Sequence, residues 1–305
     1  MAKKAARQPL LLGDITVELT NQDRVVFPDS GITKGDVVTY YKDIAEVMVR
    51  ELRGRALSIE RFTKGIDAGG FFQKHWQKHY PAWLDSVELH GKTHVKYPIC
   101  DTQAALVYLA NQGGIAFHVI TSRKHALHHP DIVVFDLDPP EDGFALVKQT
   151  ARILHELLDE LALPAFVKTT GSKGLHVVAP LDGSATFEEV HVLCADVTKL
   201  LVARHPDLLT TEFYKKDRKG RLYFDTARNA LGSTFVAAYS LRGKPGAPVS
   251  APIAWSELDD RSLRANSFTL SNVRERLDKR GDPWADLRKR PGSVAKALRV
   301  LAKLG

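Results

Sequence analysis

The most constraining feature of this 305-residue sequence is the segment Ile132-Val-Val-Phe-Asp-Leu-Asp-Pro-Pro140, an unbroken apolar run that leads into two aspartates. Such a run predicts a buried β-strand, which the two prolines end. Residues two apart on a strand share a face, so Asp136 and Asp138 should point the same way. Adjacent carboxylates repel each other, and a divalent cation removes that cost. The motif therefore predicts a Mg²⁺ or Mn²⁺ site, with two solvated acids at a strand end as the alternative.

A second segment, Thr169-Thr-Gly-Ser-Lys-Gly-Leu-His176, has two glycines between two predicted strands. Glycines at this spacing let backbone N–H groups turn into one concavity that binds anions. Side-chain donors surround them, namely Thr170, Ser172, Lys173 and His176. The segment therefore predicts a phosphate-binding loop, although no Walker A pattern is present. A plain glycine hairpin with an exposed lysine is the alternative.

A third acid, Asp225, ends the strand-like stretch 221–225, and Arg228 follows three residues later. Asp225 can complete a set of three carboxylates around two metal ions, the arrangement used for in-line nucleotidyl transfer. Arg228, and Arg242 after the apolar segment 235–241, can clamp phosphate oxygens. Surface charges at strand ends are the alternative for this stretch.

The segment Gly69–Trp83 interleaves aromatic and basic residues, as single-strand nucleic-acid binders do. Phe71 and Phe72 are its candidate stacking residues, with core aromatics as the alternative. The loop 215–221 carries five basic residues and is either a contact to DNA phosphates or a solvated hairpin. The histidines at 118, 125, 128 and 129 match no standard structural zinc spacing.

The composition narrows the class of protein. The chain has 43 Lys and Arg residues and 36 Asp and Glu residues, so its formal charge is +7. A positive charge favours a polyanionic partner such as nucleic acid. Two cysteines, Cys100 and Cys194, are too few for a disulfide framework and favour a reducing, cytoplasmic setting. No apolar run is long enough to span a bilayer. Residues 1–13 are interpreted as a flexible basic tail rather than a signal peptide.

The predicted elements mix helices and strands without strict alternation, which indicates an α+β or mixed α/β protein around a central sheet. Strands are predicted at 14–19, 56–60, 115–120, 132–137, 165–169, 175–179, 221–225 and 234–240. Helices are predicted at 34–52, 143–162, 186–204, 270–279 and 293–304.

Together these motifs resemble one family, the polymerase domain of bacterial DNA ligase D, within the archaeo-eukaryotic primase superfamily. The resemblance is carried by FDLDPP at 135–140, TTGSKGLH at 169–176 and FDTARN at 224–229, with AYSLRGKPGAPVSAPIAWSEL at 238–258. The stretches ITKGDVVTYY and GGFFQKH near the N-terminus are similar as well. One departure is Thr170, where the family usually has serine; threonine keeps the hydroxyl but restricts the side-chain torsion.

The resemblance implies an α+β primase fold, with an RRM-like catalytic sheet packed with an N-terminal mixed α/β module. It places a catalytic domain at 14–290, divided into a module at about 14–100 and a core at about 101–290, before a C-terminal helix at 291–305. The chain would be an excised domain or a free-standing homologue.

The resemblance also implies the activity. Members extend 3′ ends and fill gaps with ribonucleotides or deoxynucleotides during non-homologous end joining, using Mn²⁺ or Mg²⁺. The implied partners are DNA gaps and double-strand-break ends with a downstream 5′-phosphate, the nucleoside triphosphates, Ku and a ligase domain or protein. A nucleoid-associated cytoplasmic location, with no membrane contact, is expected.

By the same resemblance, the metal ligands and catalytic residues are Asp136, Asp138 and Asp225. The expected triphosphate contacts are Thr170, Ser172, Lys173, His176, Arg228 and Arg242. Lys34 is expected at the 5′-phosphate, and Phe71 or Phe72 at the template. In the resulting two-metal hypothesis, one ion held by all three aspartates activates the primer 3′-hydroxyl, and the other, on Asp136 and Asp138, accompanies the triphosphate.

Two other functions compete with this hypothesis. A haloacid-dehalogenase-type phosphohydrolase also begins its nucleophile motif with FDLD, but a Gly-Thr loop is expected there instead of Asp138-Pro139-Pro140. A non-catalytic DNA-end-binding module would use only the basic and aromatic residues, and would bind DNA normally after Asp136→Ala.

Overall fold

The computed structural model describes residues 7–90, 94–139 and 143–304. Residues 1–6 of the predicted tail, Pro140 of the aspartate motif and Gly305 lie outside the described residues. The chain forms two compact units that are discontinuous in sequence. The first draws on Met1–Val119, Phe235–Ser250 and Phe268–Lys279, and the second on Ile120–Thr234, Ala251–Ser267 and Arg280–Gly305.

The strands in chain order are β1 (Arg7–Leu12), β2 (Ile15–Thr20), β3 (Val25–Phe27), β4 (Ile32–Thr33), β5 (Leu57–Arg61), β6 (Phe71–Gln73), β7 (Ser86–His90), β8 (His94–Pro98), β9 (Gly114–Val119), β10 (Ser122–Arg123), β11 (Ala126–Pro130), β12 (Ile132–Asp138), β13 (Phe166–Thr169), β14 (Leu175–Pro180), β15 (Leu209–Thr210), β16 (Leu222–Asp225), β17 (Phe235–Val236) and β18 (Pro252–Ile253). The α-helices are α1 (Lys34–Asp43), α2 (Ala45–Leu52), α3 (Gln103–Asn111), α4 (Phe144–Glu160), α5 (Phe187–Arg204), α6 (Val273–Arg280) and α7 (Val294–Leu304). Short 3₁₀ turns lie at Ile66–Ala68, Lys215–Asp217, Ala227–Asn229 and Trp255–Asp259. The mixture of helices and strands is the predicted α+β class.

The first unit is organised around a four-stranded sheet with the strand order β17-β9-β5-β6. Three antiparallel hairpins, β1–β2, β3–β4 and β7–β8, belong to the same unit. Helix α1 begins at a complete capping box, in which Thr33 and Asp36 satisfy each other's backbone N–H groups. The apolar residues Val37 and Tyr41 of this helix are fully buried, which fixes the face it turns to the core.

The second unit is organised around a six-stranded sheet with the order β15-β16-β12-β14-β13-β18. Its central strand β12 pairs antiparallel with β14 on one side and β16 on the other. Residues Ile132–Leu137 are all buried, as the apolar run predicts. Helix α4 packs against β12 and β14 through a buried stripe that includes Val147, Ala151 and Leu154. The sheet and helix together hold the two aspartates of β12 on a rigid support.

Several local predictions need correction. Residues 7–12 of the predicted flexible tail form β1, which pairs antiparallel with β2 from Arg7↔Thr20 to Leu12↔Ile15, because a turn at Gly13 brings the two segments together. The single helix predicted at 34–52 is divided into α1 and α2 at Ile44. The strand predicted at 234–240 is only the two-residue β17. The hairpin β7–β8 and helix α3 were not predicted.

Among the described residues, none of the helices is both long and apolar enough to cross a bilayer.

Candidate active site and nucleic-acid contacts

The candidate catalytic residues of the second unit lie in one row across its sheet. Asp225 of β16 is directly opposite Asp136 of β12, Asp136 is opposite His176 of β14, and His176 is opposite Lys168 of β13. Residues directly opposite each other on paired strands share a face. The row therefore changes from two carboxylates at one end to a lysine ammonium at the other. Asp138, two residues beyond Asp136, adds a third carboxylate to the same face.

Asp136 is the most constrained of the three acids. Its side chain is only 7% exposed, and its two oxygens have different partners. The His176 imidazole Nε2 lies 3.2 Å from Oδ1, and Arg228 Nε donates to Oδ2 at 3.1 Å. Burial alone would raise the pKa of this carboxyl, but His176 and Arg228 hold it well below its usual range. Asp136 is therefore an anion at neutral pH, although it is buried.

His176 is neutral at the same pH. Burial, followed by the charge of Lys168, lowers the pKa of the imidazole to about 4. Because a neutral imidazole has one N–H, the contact to the Asp136 anion assigns that proton to Nε2. His176 therefore orients Asp136 as a hydrogen-bond donor without adding a positive charge.

The other two acids are more accessible than Asp136. Asp138 is exposed at the end of β12, and Asp225 is half-buried at the end of β16. Asp225 Oδ1 accepts a hydrogen bond from the Ala227 N–H at 2.8 Å, which fixes the start of the turn that carries Arg228. The donor set is thus three carboxylates on one sheet face. Oxygen-rich sets of this kind fit hard divalent cations such as Mg²⁺ and Mn²⁺, which also keep water and substrate oxygens as ligands.

Asn229 holds strand β12 from the side and was missed by the sequence analysis. Its Oδ1 accepts from the Val134 N–H at 2.8 Å, and its Nδ2 donates to the Val134 carbonyl at 2.7 Å. The Asn229 side-chain amide therefore pairs with the Val134 backbone as a residue of a neighbouring strand would. Val134 lies two residues before Asp136. Asn229 and Val134 are buried, so both hydrogen bonds are shielded from water.

The loop 170–174 is closed by Thr170 itself. The Thr170 hydroxyl donates to the Gly174 carbonyl at 3.1 Å and accepts from the Gly174 and Ser172 N–H groups at 3.1 and 3.3 Å. Thr170 is buried, so its hydroxyl shapes the loop from the inside. A serine hydroxyl could make the same three hydrogen bonds, so the threonine keeps the loop-closing role open to the serine that the resembling family usually has.

The predicted backbone nest in this loop is wrong for three of its N–H groups. Those of Ser172 and Gly174 bond to Thr170, and that of Gly171 donates to the Ala265 carbonyl at 3.0 Å. A phosphate would have to displace these acceptors to use the same donors. The phosphate-binding capacity of the loop therefore rests on side chains, with Lys173 exposed and Ser172 half-buried.

Gly174 brings this loop into close contact with strand β12. A Cβ atom at this position would lie 2.0 Å from the Leu137 carbonyl oxygen and 2.9 Å from Asp138 Oδ1. Only glycine permits this approach, since a carbon atom cannot come so close to a backbone oxygen. The loop is therefore seated directly against the peptide between Asp136 and Asp138.

The first unit carries the predicted 5′-phosphate contact, Lys34. This residue is the first of α1 and is buried, with its ammonium donating to the Thr20 carbonyl and, at 3.2 Å, to the Thr20 hydroxyl. Its backbone N–H donates to the Arg24 carbonyl at 2.8 Å, so the two cationic residues are neighbours. Burial, followed by the charge of Arg24, lowers the pKa of Lys34 to about 8. Arg24, which the sequence analysis missed, makes this a two-cation site suited to an anion.

Phe71 and Phe72 lie on β6, at the edge of the four-stranded sheet of the first unit. Their exposed fractions, 50% and 54%, contradict a core role for these two aromatics. The guanidinium of Arg61 lies 5.7 Å from the Phe71 ring centre, so charge and aromatic surface are combined. Exposed rings with a neighbouring cation form the kind of platform on which nucleobases stack.

Arg242 belongs to the first unit, whereas the other predicted triphosphate contacts belong to the second. Burial raises the pKa of Glu60, and the nearby charges of Arg242 and Lys244 offset only part of that increase. Glu60 is opposite Phe72 in the β5–β6 pairing, so Arg242 lies near the aromatic edge of this sheet.

The basic loop 215–221 of the second unit is flanked by an aromatic cluster that the sequence analysis missed. Phe213 and Tyr214 are 68% and 65% exposed, and the Phe213 ring lies 6.1 Å from that of Tyr223. Tyr223 is directly opposite Asp138 in the sheet. Arg218 lies over the Tyr223 ring at 4.5 Å. The signal was present in the sequence as Phe213-Tyr214 before the basic run, but only strand pairing places it beside the carboxylates.

Three carboxylates on one face of the sheet, with cationic side chains beside them on this fold, define a metal-dependent nucleotidyltransferase of the archaeo-eukaryotic primase type. Residues 33–284 match the family model described as the LigD primase-polymerase domain. The chain therefore belongs to the LigD primase-polymerase family.

Similar proteins agree with this assignment. The multifunctional non-homologous end joining DNA repair protein LigD of Mycobacterium tuberculosis H37Rv is 35% identical over 276 residues, covering 87% of this chain and 36% of the relative. The bifunctional LigD of Bacillus subtilis is 31% identical over 281 residues, covering 90% of this chain and 44% of the relative. The chain thus spans less than half the length of these curated relatives.

A solved structure, the polymerase domain from Mycobacterium tuberculosis ligase D in complex with DNA, superposes with a TM-score of 0.83. It is 34% identical in sequence, and the match covers 89% of this chain and 97% of that domain. The predicted α+β primase fold is therefore confirmed.

Proposed function

We propose that this chain is a template-directed DNA/RNA polymerase that extends 3′ ends and fills gaps, with ribonucleotides or deoxynucleotides, during bacterial non-homologous end joining. The observation that carries the proposal is the row of Asp225, Asp136 and His176 with Asp138 on the same sheet face. Membership of the LigD primase-polymerase family supports it. A phosphohydrolase would use one aspartate as a nucleophile. Asp136 is poorly suited to that role because it is buried and both of its oxygens already have partners, His176 and Arg228.

Asp136, Asp138 and Asp225 would hold the divalent ions. When bound, these ions would lower the pKa of the primer 3′-hydroxyl and offset the charge on the departing pyrophosphate. The chain itself keeps Asp136 ionised, through Arg228 and a neutral His176, so that the ligand is ready at neutral pH. Mn²⁺ and Mg²⁺ both suit a set of carboxylate ligands, and the proposed cofactor is either of these two ions.

The triphosphate would be bound by the side chains around this row. Arg228 is 42% exposed while its Nε holds Asp136, so the guanidinium links the carboxylates to an incoming phosphate. Lys173 and Ser172 provide donors from the loop that Gly174 seats against β12. Thr170 acts on the loop rather than on the nucleotide. Arg242, in the first unit, remains a proposed triphosphate contact.

The DNA contacts are proposed for both units. In the first, Lys34 with Arg24 would take the downstream 5′-phosphate, and Phe71 or Phe72 would stack on the template strand. In the second, Phe213 and Tyr214 would supply a further stacking surface near Asp138. The similar polymerase domain from Mycobacterium tuberculosis was solved in complex with DNA, which supports DNA as the partner here.

The proposal extends to the cellular setting by analogy with the curated relatives, which are non-homologous end joining proteins. Ku and a ligase domain or protein are the proposed partners, and a nucleoid-associated cytoplasmic site is the proposed location. The net charge of +7 is suited to a DNA partner.

The test is primer extension on a gapped duplex with a recessed 5′-phosphate, in Mn²⁺ or Mg²⁺, with each ribonucleoside and deoxyribonucleoside triphosphate. We expect metal-dependent, templated addition that is lost in Asp136→Ala and in Asp225→Ala. His125→Ala, an exposed residue in the turn between β10 and β11, is the control and should extend normally. Gap binding without addition by the wild-type protein would instead identify a non-catalytic end-binding module.

A further inference from the structure

The hairpin β7–β8 of the first unit brings together three metal-ligating side chains that the polymerase function does not use. Glu88 and His90 are two residues apart on β7 and therefore share a face. His94 of β8 is directly opposite His90 in the antiparallel register, so it joins them on that face. All three side chains are exposed, and an ion could reach them from solvent.

The distances fit a single ion. The ligating nitrogen and oxygen atoms of Glu88, His90 and His94 all lie within 4.8 Å of one another. His94 Nε2 is already 3.2 Å from Glu88 Oε2, close to the roughly 3.3 Å separation of two ligands in a tetrahedral zinc site. The His90 and His94 rings are stacked, with their centres 4.2 Å apart and 23° between their planes. Small side-chain rotations would bring both imidazoles onto one ion.

The neighbouring charge does not block the site. Lys96 is opposite Glu88 in the register and could compete for its carboxylate. Its ammonium instead lies 4.9 Å from the centre of the Trp76 ring, where a cation–π interaction holds it. The Glu88 carboxylate therefore has His94 as its ion-pair partner in the structure.

We propose that Glu88, His90 and His94 form an accessory binding site for a borderline transition-metal ion, with Zn²⁺ as the representative. Two imidazoles and one carboxylate suit Zn²⁺, Co²⁺, Ni²⁺ and Cu²⁺ better than Mg²⁺ or Mn²⁺, which prefer oxygen ligands. The site thus differs in metal preference from the three aspartates of the second unit. One or two water molecules would complete the coordination.

Metal binding would link β7 to β8 at the last residue pair of their ladder, His90 and His94. These strands form a two-stranded sheet of their own, and isolated hairpins of this size are marginally stable. An ion bound by residues of both strands would therefore stabilise their pairing. The sequence signal was Glu88-x-His90 followed by His94, which is informative only once the strand pairing is known.

The experiment is a titration of the metal-free full chain with Co²⁺, followed by visible absorption, with a competing chelator to obtain the affinity. We expect a nitrogen-ligated Co²⁺ spectrum, which Zn²⁺ displaces. His90→Gln and His94→Gln should each weaken binding at least about 100-fold, because removing a ligand should cost more than losing the hydrogen-bond partner of a ligand. His125→Gln, at an exposed position in the turn between β10 and β11, is the matched control and should bind normally.

The catalytic carboxylates are a second possible site for Co²⁺, so Asp225→Asn is included. It should lose primer extension but keep the nitrogen-ligated spectrum, whereas His94→Gln should keep extension in Mn²⁺. With Cu²⁺, electron paramagnetic resonance should show two imidazole nitrogens in the wild type and one in His94→Gln. Unchanged spectra in both histidine variants, or an equal loss in His125→Gln, would overturn the proposal.

Discussion

Replacing Gly174 by alanine tests how closely the loop 170–174 and strand β12 depend on each other. The new Cβ would lie 2.0 Å from the Leu137 carbonyl oxygen, whereas ordinary contact is about 3.4 Å. The loop or the strand must therefore shift by more than 1 Å. The Leu137 peptide lies between Asp136 and Asp138, so the shift displaces at least one of the proposed metal ligands.

The expected magnitude follows from that displacement. Misplacing reacting groups by about 1 Å costs roughly 100-fold in rate, equivalent to about 2.7 kcal/mol in the activation free energy. Overpacking should lower the free energy of unfolding by only about 1–3 kcal/mol, so the variant should remain folded. We expect kcat for single-nucleotide addition in Mn²⁺ to fall at least about 100-fold in Gly174→Ala.

Gly292→Ala is the matched control. A Cβ there would also be too close to a neighbour, at 2.4 Å from the Leu163 side chain, but this glycine bridges to Leu181 rather than to the aspartate strand. It should lose stability in urea and keep its kcat. Wild-type kcat in Gly174→Ala, or an equal loss in both variants, would refute the argument that seating this loop on β12 sets the catalytic geometry.

Three further outcomes are expected. Asn229→Leu removes both hydrogen bonds to the buried Val134 backbone, so urea unfolding should show a loss of about 2–4 kcal/mol; a loss below about 1 kcal/mol would contradict that role. Because the pKa of His176 is lowered to about 4, the unfolded chain binds its proton more readily, and stability should fall as pH decreases from about 6.5 towards 4. This fall should be shallower in His176→Gln, and protonation of Asp136 should add a further loss below about pH 4. Because the pKa of Lys34 is lowered to about 8, its ammonium should lose its charge between pH 7 and 9. The protein's binding preference for a 5′-phosphorylated gap over an unphosphorylated gap should therefore weaken over this range. Lys34→Met should show little preference at either pH.

The central strands and helices of the second unit were predictable because each has a strong local signal. The apolar run 132–137 can be satisfied only by burial, and the Thr186/Glu189 capping pattern marks the start of α5. Residues 7–12 were mistaken for a tail because a six-residue edge strand with a basic start resembles one. Their structure comes from pairing with β2, which no local pattern reveals.

Local patterns in the chain were enough to place Asp136 and Asp138 on one face, because strand periodicity is a local property, and the ordered motifs identified the family. These patterns did not determine what Asp225, Lys168, Tyr223 or Asn229 contact. Those relations depend on which strands pair and in which register, and register is set by the packing of the whole sheet. Tertiary structure decided that Asp136 remains charged while buried, that Thr170 closes its own loop, and that two histidines meet across a hairpin.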